Sequence, residues 1–537
     1  MGRREPLSPS QGEIKREWIF LLNSSKPLTY GKGEKAEPTK ENPTVYFRIL
    51  IIEFIFIRLF LFPDFVTLML AMKKQPSAVR KSTRTISGVT PVAVMTTPMP
   101  CPGHCVYCPT YANMPQSYTP ESPAVLRGIE CEFDAAKQVR VRLRGLADMG
   151  HPIDKIELII MGGTFLATPI DYQYQFIKDC FDALNGKTSA SLAEAKQINE
   201  TGACRCVGLC VETRPDFCGE AEVKRMLEFG ATRVEMGVQT LDDDIYRLVN
   251  RGHLVADVVS ATALLKQYGF KVHYHWMPGM PGSTPEHDLG MTRRLFDDSR
   301  FRPDGLKIYP TMVVAGTVLE KWYREGRYRP YDDNTLLNLV AEMKAVVPPY
   351  VRISRVLRDI PVKFIVAGYK DSLRGPVKKR MQEKGLECHC IRCREYGHRA
   401  AGGWKMGEPV LKRMDYPASG GDEVFLSFED ERETLFGLLR LRLQPEPIPI
   451  TGLENTTPTA IIRELHVYGP EVPLKDQSPD AAQHKGLGKA LLKAAELIAR
   501  EEFKAPQMLV LSGVGAKEYY RAEFGYHSAG DYMAKSL

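Results

Sequence analysis

Cys101, Cys105 and Cys108 stand within the stretch Met99–Thr110 at the spacing C-x3-C-x2-C. Three thiolates at these intervals can hold three irons of a [4Fe-4S] cube and leave the fourth iron open, whereas a closed electron-transfer cluster takes four Cys. An open iron can bind a substrate or a cofactor. The competing reading is a structural zinc site, which normally needs four ligands. His104 is the nearest further donor, but it lies between Cys101 and Cys105, where a short loop makes tetrahedral closure awkward. Ligand count therefore favours the cluster.

Two more groups carry chemistry. Gln483-His-Lys-Gly-Leu-Gly488 precedes an amphipathic stretch from Gly486 to Glu502. A helix N-terminus approached through Gly offers free backbone N–H groups and the positive end of a dipole to a pyrophosphate. Cys388-His-Cys-Ile-Arg-Cys393 has the spacing C-x-C-x2-C, again suited to a metal.

The elements that must position these residues follow from hydrophobic period. Strand-like runs at Val92–Thr97, Ile156–Met161, Cys206–Cys210, Arg233–Gly237, Val272–Trp276 and Leu306–Tyr309 alternate with helical patterns. One such helix is Phe133–Asp148, with Ala135, Val139, Val141, Leu143 and Leu146 as its apolar positions. Alternation of this kind argues for a parallel sheet with crossover helices, whose reactive groups gather at the C-terminal strand ends. The cysteines, Gly162-Gly163 and Glu212-Thr-Arg-Pro-Asp216 all fall at such ends. Taken alone, the Gly pair reads equally as a tight turn, Glu212 with Arg214 as a structural ion pair, and Trp276 and Tyr309 as barrel-end aromatics. From Glu423 the order changes to strands at Glu423–Phe428, Thr434–Leu443 and Ile461–Tyr468, then the helix Gly486–Glu502.

Composition bounds the class. The 537 residues are 44% hydrophobic and 26% charged, which excludes a disordered or fibrous chain and allows two to four domains. Nine of the 12 Cys lie between 101 and 218 and three between 388 and 393, a clustering that suits metal chemistry in a reducing cytoplasm rather than a disulfide framework. Net charge is +7, but Leu357–Arg413 alone carries fourteen Lys or Arg against six Asp or Glu. That local excess, including Lys378-Lys379-Arg380, points to a polyanionic partner or to a solvated linker. Residues 46–70 are apolar and long enough to span a bilayer, yet Arg48, Glu53, Arg58 and Asp64 interrupt them. No signal-peptide pattern is present, and a functional start near Met72 is expected, followed by the basic run Lys73–Arg84.

The cysteine triplet after the first strand and the Gly pair after the second resemble the radical S-adenosylmethionine enzymes. The Gly486–Gly488 turn, Glu464-Leu-His-Val467 on the preceding strand and Tyr519-Tyr520-Arg521 resemble the GNAT acetyltransferases. Joined in one chain, with Met161-Gly-Gly-Thr-Phe, Glu235-Met-Gly-Val-Gln, Asn250-Arg-Gly-His and Ser512-Gly-Val-Gly in order, they resemble the Elp3 family, the catalytic subunit of Elongator and its stand-alone relatives. The resemblance implies an α/β chain in which a partial (βα) barrel over 91–356 precedes an α+β GNAT domain over 421–537. An apolar extension (1–72), a basic tRNA-contacting arm (73–90) and a basic linker (357–420) complete it.

The function so implied is modification of the tRNA wobble uridine with acetyl-CoA. The open iron would bind S-adenosylmethionine, a deoxyadenosyl radical would take hydrogen from the acetyl methyl, and addition to C5 followed by thioester hydrolysis would leave a carboxymethyl group. By the same resemblance Lys155, Glu464, Leu465, His466, Val467, Gln483, Gly486, Leu487, Gly488, Lys489 and Tyr520 bind acetyl-CoA, with Tyr520 near the thioester. Gly162 and Gly163 serve S-adenosylmethionine. Cys388, Cys390 and Cys393 resemble a zinc-binding linker whose fourth ligand, His389, His398 or a distant residue, stays open. Expected partners are the anticodon stem-loop and an external electron donor, with a homodimer left open and no membrane partner assigned. A rival function is protein lysine acetylation with a structural cluster, but no carboxylate stands out as the base that would deprotonate lysine. A non-catalytic tRNA scaffold would leave all three thiols without purpose.

Overall fold

A computed structural model describes residues 85–448, 450, 457–469 and 486–537. The apolar run at 46–70, the basic run Lys73–Arg84 and Gln483 lie outside the described residues. No described helix is long and apolar enough to cross a membrane.

Seven strands form one open parallel sheet: β1 (Thr90–Met95), β2 (Lys155–Met161), β3 (Arg205–Thr213), β4 (Arg233–Gln239), β5 (Lys271–Trp276), β6 (Gly305–Ile308) and, after the two-residue β7 (Val313–Val314), β8 (Arg352–Val356), in the order β1-β2-β3-β4-β5-β6-β8. Every neighbouring pair is parallel. β7 instead pairs antiparallel with β9 (Ile365–Ala367). The alternation along β2 shows how the sheet divides its two faces. Ile156, Leu158 and Ile160 are fully buried in the shared core, while Glu157, Ile159 and Met161 face an internal cavity. A closed eight-stranded barrel fills its interior with bulky apolar layers; this curled sheet of seven keeps a cavity there and turns charged side chains such as Glu157, Arg233, Glu235 and Lys307 into it.

The helix Ala135–Asp148 illustrates the outer layer. The Asp134 carboxylate accepts from the Lys137 N–H at 2.6 Å and caps it. Val139, Leu143 and Leu146 are buried, but Val141 is half exposed, because position 141 lies off the 139/143/146 stripe by about half a turn. Gln138 replaces a strand neighbour at the end of β1, exchanging bonds with the Met95 N–H (2.9 Å) and carbonyl (2.8 Å). This fixes the last residue before the cysteine loop.

The second sheet comprises β10 (Val410–Ala418), β11 (Gly421–Glu429), β12 (Leu435–Gln444), β13 (Thr459–Val467), β14 (Gln507–Val510), β15 (His527–Ala529) and β16 (Tyr532–Ser536), in the order β10-β11-β12-β13-β14-β16-β15. It therefore begins at Val410, ahead of the boundary expected at 421. The polar pattern of Lys412, Arg413 and Asp415 hides the strand, because β10 is an edge exposed along most of its length. Only β13 and β14 run parallel, and they pair only over Ala460–Ile462 and Met508–Val510. Beyond Ile462 the two strands part.

Both sheets belong to one compact unit, Ala78–Leu537, and share a core. The second sheet docks against the N-terminal ends of the first, opposite the cysteines. Arg463 donates to the Phe270 carbonyl (2.7 Å), Arg440 to the Tyr350 carbonyl (2.6 Å) and the Tyr532 hydroxyl to the Tyr268 carbonyl (2.8 Å). Contact is closest at Gly513, where an added Cβ would lie 2.1 Å from the Val207 carbonyl oxygen. Neither partner is a flexible side-chain tip, so Gly513→Ala is expected to cost about 1–3 kcal/mol, read as a lower midpoint in denaturant. A wild-type midpoint would show that this contact relaxes freely.

Candidate active site and acyl cleft

The cysteine loop is built to hold negative sulfur. Gly103 donates its N–H to the Cys101 Sγ (3.4 Å), Arg251 donates to the Cys105 Sγ (3.4 Å) and Gln116 to the Cys108 Sγ (3.3 Å). Cys101 also lies 3.7 Å from the Thr164 hydroxyl. Burial pushes the Cys108 thiol up, and a bound cation is what would restore its thiolate. A single zinc needs sulfurs about 3.8 Å apart, from Zn–S bonds of ~2.3 Å in a tetrahedron. Among the described residues Cys388, Cys390 and Cys393 place their sulfurs within 4.8 Å of one another, and the Cys101 triplet does not form such a set. The wider triplet fits a cluster; the tighter one fits a single ion.

Around the loop, Arg214 Nη1 and Gln239 Oε1 are buried polar atoms without a hydrogen-bond partner among the described residues. They fit a site that takes a polar ligand. Arg214 is held by Asp216 through two bonds (2.9 and 2.7 Å) rather than by Glu212, so the Glu212–Arg214 ion pair does not form. Gly103 makes room for it: a Cβ there would fall 1.8 Å from Arg214 Nη1. Gly162 (φ 136°) is required by packing, since its Cβ would meet the Thr96 hydroxyl at 1.8 Å, while Gly163 and Thr164 line the cavity.

Below the loop lies an ion ladder. Lys307 pairs with Glu235 and lies 3.2 Å from Glu212, which also accepts from the Tyr118 hydroxyl at 3.0 Å. Arg233 reaches Glu157 and Glu235, and His275 lies 3.5 Å from Glu235. Burial opposes ionisation of Glu235, yet Lys307, His275 and Arg233 outweigh it and hold the carboxyl well below the usual range. Lys307 is kept charged in the same way, burial being overcome by Glu235. His273 is neutral, its imidazole held down to about 3 by burial. Tyr309 packs edge-on against His275, whereas Trp276 turns outward into the core and donates to Thr292 (3.0 Å). Of these residues the sequence singled out Glu212 and Tyr309 but gave no role to Lys307, Arg233, Glu157, His273 or His275. The available signal was charge on alternate positions of otherwise buried strands, as in Lys271, His273 and His275.

The cavity, of about 660 Å³, is continuous from Cys101, Cys105 and Cys108 past the ladder to Glu464 and His466 on β13. There the second sheet opens. From Arg463 to Val467 β13 pairs with β12 alone, with a register shift at Arg440/Leu441 that drops Arg463 from the ladder. Glu464 and His466 turn toward the cavity, and Val467 turns the other way, close to Gly488. The helix Leu487–Glu501 starts at Gly486 (φ 77°), with no side chain capping its first N–H groups. Lys489 points outward to Glu523 (2.5 Å).

Tyr520 is buried, 6% exposed, in the core beneath this cleft, with its phenol pushed well up by burial and its ring against Tyr519 and Tyr526. The neighbouring Tyr519 places its hydroxyl 3.3 Å from the position a Cβ on Gly488 would take. Lys155 opens β2 at the end facing the second sheet, in register with Arg205, which packs on Gly515. Cys388, Cys390 and Cys393 share hydrogen bonds that pull Cys393 down and push Cys388 up, with Lys344 3.7 Å from Cys393. His389 is engaged by Glu433 (2.8 Å) and His398 by Glu395 (3.0 Å).

Comparison with known proteins agrees with this geometry. Residues 100–295 match the radical SAM superfamily and residues 303–383 the Radical_SAM C-terminal domain. A tRNA uridine(34) acetyltransferase of Dehalococcoides mccartyi is 63% identical over 85% of this chain and all of its own length. Elongator complex protein 3 of Homo sapiens is 41% identical over 86% of each chain. The solved structure of the archaeal Methanocaldococcus infernus Elp3, lacking residues 1–46, superposes with a TM-score of 0.75 at 46% identity and covers 84% of this chain and all of its own.

Proposed function

The chain belongs to the radical SAM family of tRNA uridine(34) acetyltransferases and Elongator complex protein 3, and from that premise we propose that it installs a carboxymethyl group at C5 of the tRNA wobble uridine, with acetyl-CoA as carbon source. The observation that carries this reading is the single cavity joining the cysteine loop to the open edge of β13. A radical generator and an acyl cleft in one chain have a shared purpose only if their reactive groups can meet.

Cys101, Cys105 and Cys108 would hold a [4Fe-4S] cluster, beside which Arg214, Gln239 and Arg251 offer polar atoms to S-adenosylmethionine. Together the two groups supply a carbon radical able to take hydrogen from a methyl group. The chain's own part is to place and shield. The Glu212–Lys307–Glu235 ladder is hydrogen-bonded from strand to strand, so it holds its shape without water and fixes the wall against which the acyl group is oriented. At the other end, Gly486, Leu487 and Gly488 offer N–H groups to the pyrophosphate of acetyl-CoA, and the stretch of β13 beyond Ile462, where β14 no longer pairs with it, offers a strand edge to its pantetheine. Lys155 approaches from the first sheet. Tyr519, rather than Tyr520, presents its hydroxyl to the Gly turn.

The anticodon base enters from the cysteine side, where strand ends and loops leave the sheet open. Lys378 and Lys379, exposed on the helix Arg374–Glu383, contribute to a phosphate-tracking face. Cys388, Cys390 and Cys393 form a zinc site that ties this basic segment to the barrel.

The test is anaerobic: protein with reconstituted iron, a reductant, S-adenosylmethionine, acetyl-labelled CoA and a tRNA with uridine at the wobble position. Label is expected on that base as a carboxymethyl group, matched by 5'-deoxyadenosine. Labelled protein with unlabelled tRNA would replace this reading with protein acetylation.

A further inference from the structure

Two acid–base groups of β13 face the cavity, and they differ in what holds them. Glu464 is committed, lying 3.3 Å from Lys271 and 2.8 Å from Arg440. His466 keeps one nitrogen in hand. Its Nε2 lies 2.6 Å from the backbone carbonyl oxygen of Ser87, a group that only accepts, so the ring proton sits on Nε2 and Nδ1 carries the lone pair. Among the described residues nothing hydrogen-bonds Nδ1. The ring is stacked on Tyr468 (centroids 4.3 Å, planes 23° apart), which is itself covered by Arg352 at 5.7 Å. Orientation and tautomer are thus both fixed.

The charge state is fixed too. Burial holds the imidazole below its ordinary range, with Arg352 and Lys271 adding to the effect and Glu464 opposing it. It is neutral at pH 7. A neutral histidine of locked tautomer, with a free lone pair on a cavity wall, has the form of a general base. Its backbone belongs to the strand segment left open by β14, one residue from Val467 and the Gly turn.

We propose that His466 is the general base for hydrolysis of the CoA thioester, the last step of the function proposed above and resting on it. Nδ1 takes a proton from a water whose oxygen attacks the thioester carbonyl carbon. The carbon–sulfur bond then breaks, the thiolate of CoA receives the proton from Nδ1, and the new carboxylic acid ionises. Water and thioester become carboxylate, thiol and a proton; nothing is oxidised or reduced.

His466→Gln keeps an amide donor for the Ser87 carbonyl and removes the base. In the holoenzyme, assayed at saturating acetyl-CoA, it is expected to cleave S-adenosylmethionine and to load the acetyl carbon onto tRNA. Thioester hydrolysis should fall by about 10²-fold or more, leaving tRNA that carries the uncleaved CoA thioester. That adduct is visible by mass spectrometry and is released by hydroxylamine as a hydroxamate. A misplaced structural residue would reduce binding instead of trapping the adduct. Hydrolysis within threefold of wild type, with normal carboxymethyl product, overturns the assignment. Should the variant not fold, carbethoxylation of the wild-type holoenzyme decides. Loss of hydrolysis in step with mapped modification of His466, prevented by acetyl-CoA, supports the base, and modification without loss overturns it. Failure of the underlying functional reading looks different: wild-type enzyme would place no acetyl carbon on tRNA at all.

Discussion

Replacing Cys105 with serine is expected to reduce S-adenosylmethionine cleavage to background and to leave acetyl-CoA binding intact. Serine is close to isosteric but its hydroxyl is a hard, protonated ligand, so soft iron loses one of its protein bonds. The donor now aimed at the Cys105 sulfur, Arg251, stays where it is, because its guanidinium also donates to the Gly237 carbonyl and lies buried. The loop therefore keeps its shape while the metal site fails. The proposed acyl cleft lies at the far end of the cavity from the cysteines, on the second sheet. The measurements are 5'-deoxyadenosine formation, visible iron–sulfur absorbance and acetyl-CoA affinity on the same preparation. Retained cleavage would remove Cys105 from the ligand set. Loss of folding together with loss of acetyl-CoA binding would show the metal to be structural.

The order of strands and the positions of both Gly turns were legible because each rests on local rules. Val92–Thr97 ends within two residues of the observed β1, and Ile156–Met161 differs from β2 by one residue. Apolar β-branched runs that end in Gly or Cys leave little else for the backbone to do. The strand β8 was missed because Arg352 and Arg355 interrupt it; their charge faces the cavity, which a reading of buried strands does not anticipate. The same hollow interior hid the Lys307–Glu235–Glu212 ladder. Only the knowledge that three separate strands converge makes those charges partners. Tyr520 shows the opposite limit. Motif position singled it out, while the three-dimensional path of the helix Lys517–Phe524 turns its neighbour Tyr519 to the Gly turn.

The docking of the two sheets should be the most fragile energetic feature of the molecule, and Asp304→Asn is the change that exposes it. Asp304 is fully buried just before β6, and it accepts from Arg463 (2.7 and 2.9 Å) and from the Val272 N–H (2.8 Å). Arg440 lies 3.4 Å away and Lys266 3.7 Å, so one carboxylate faces three buried cations, with Glu423 sharing Arg463 at 2.8 Å. Burial alone would raise its pKa, yet Arg463, Lys266 and Arg440 hold it well below the usual range, which marks the ionised form as the one the fold uses. Asparagine preserves the size and one acceptor while removing the charge. Breaking such a pair from one side leaves charge uncompensated in a dry interior, a loss of about 3–5 kcal/mol. The loss is expected to appear as a lower denaturant midpoint and as proteolytic cleavage between the two sheets before either unfolds. Neutralising the partner as well separates charge from packing: Asp304→Asn with Arg463→Gln should cost less than the sum of the two single changes, since each removes the charge that the other strands. Additive losses would mean that apolar contacts such as Ile461, Leu509 and Leu511 against the barrel floor, rather than this network, hold the second sheet at the end of the cavity.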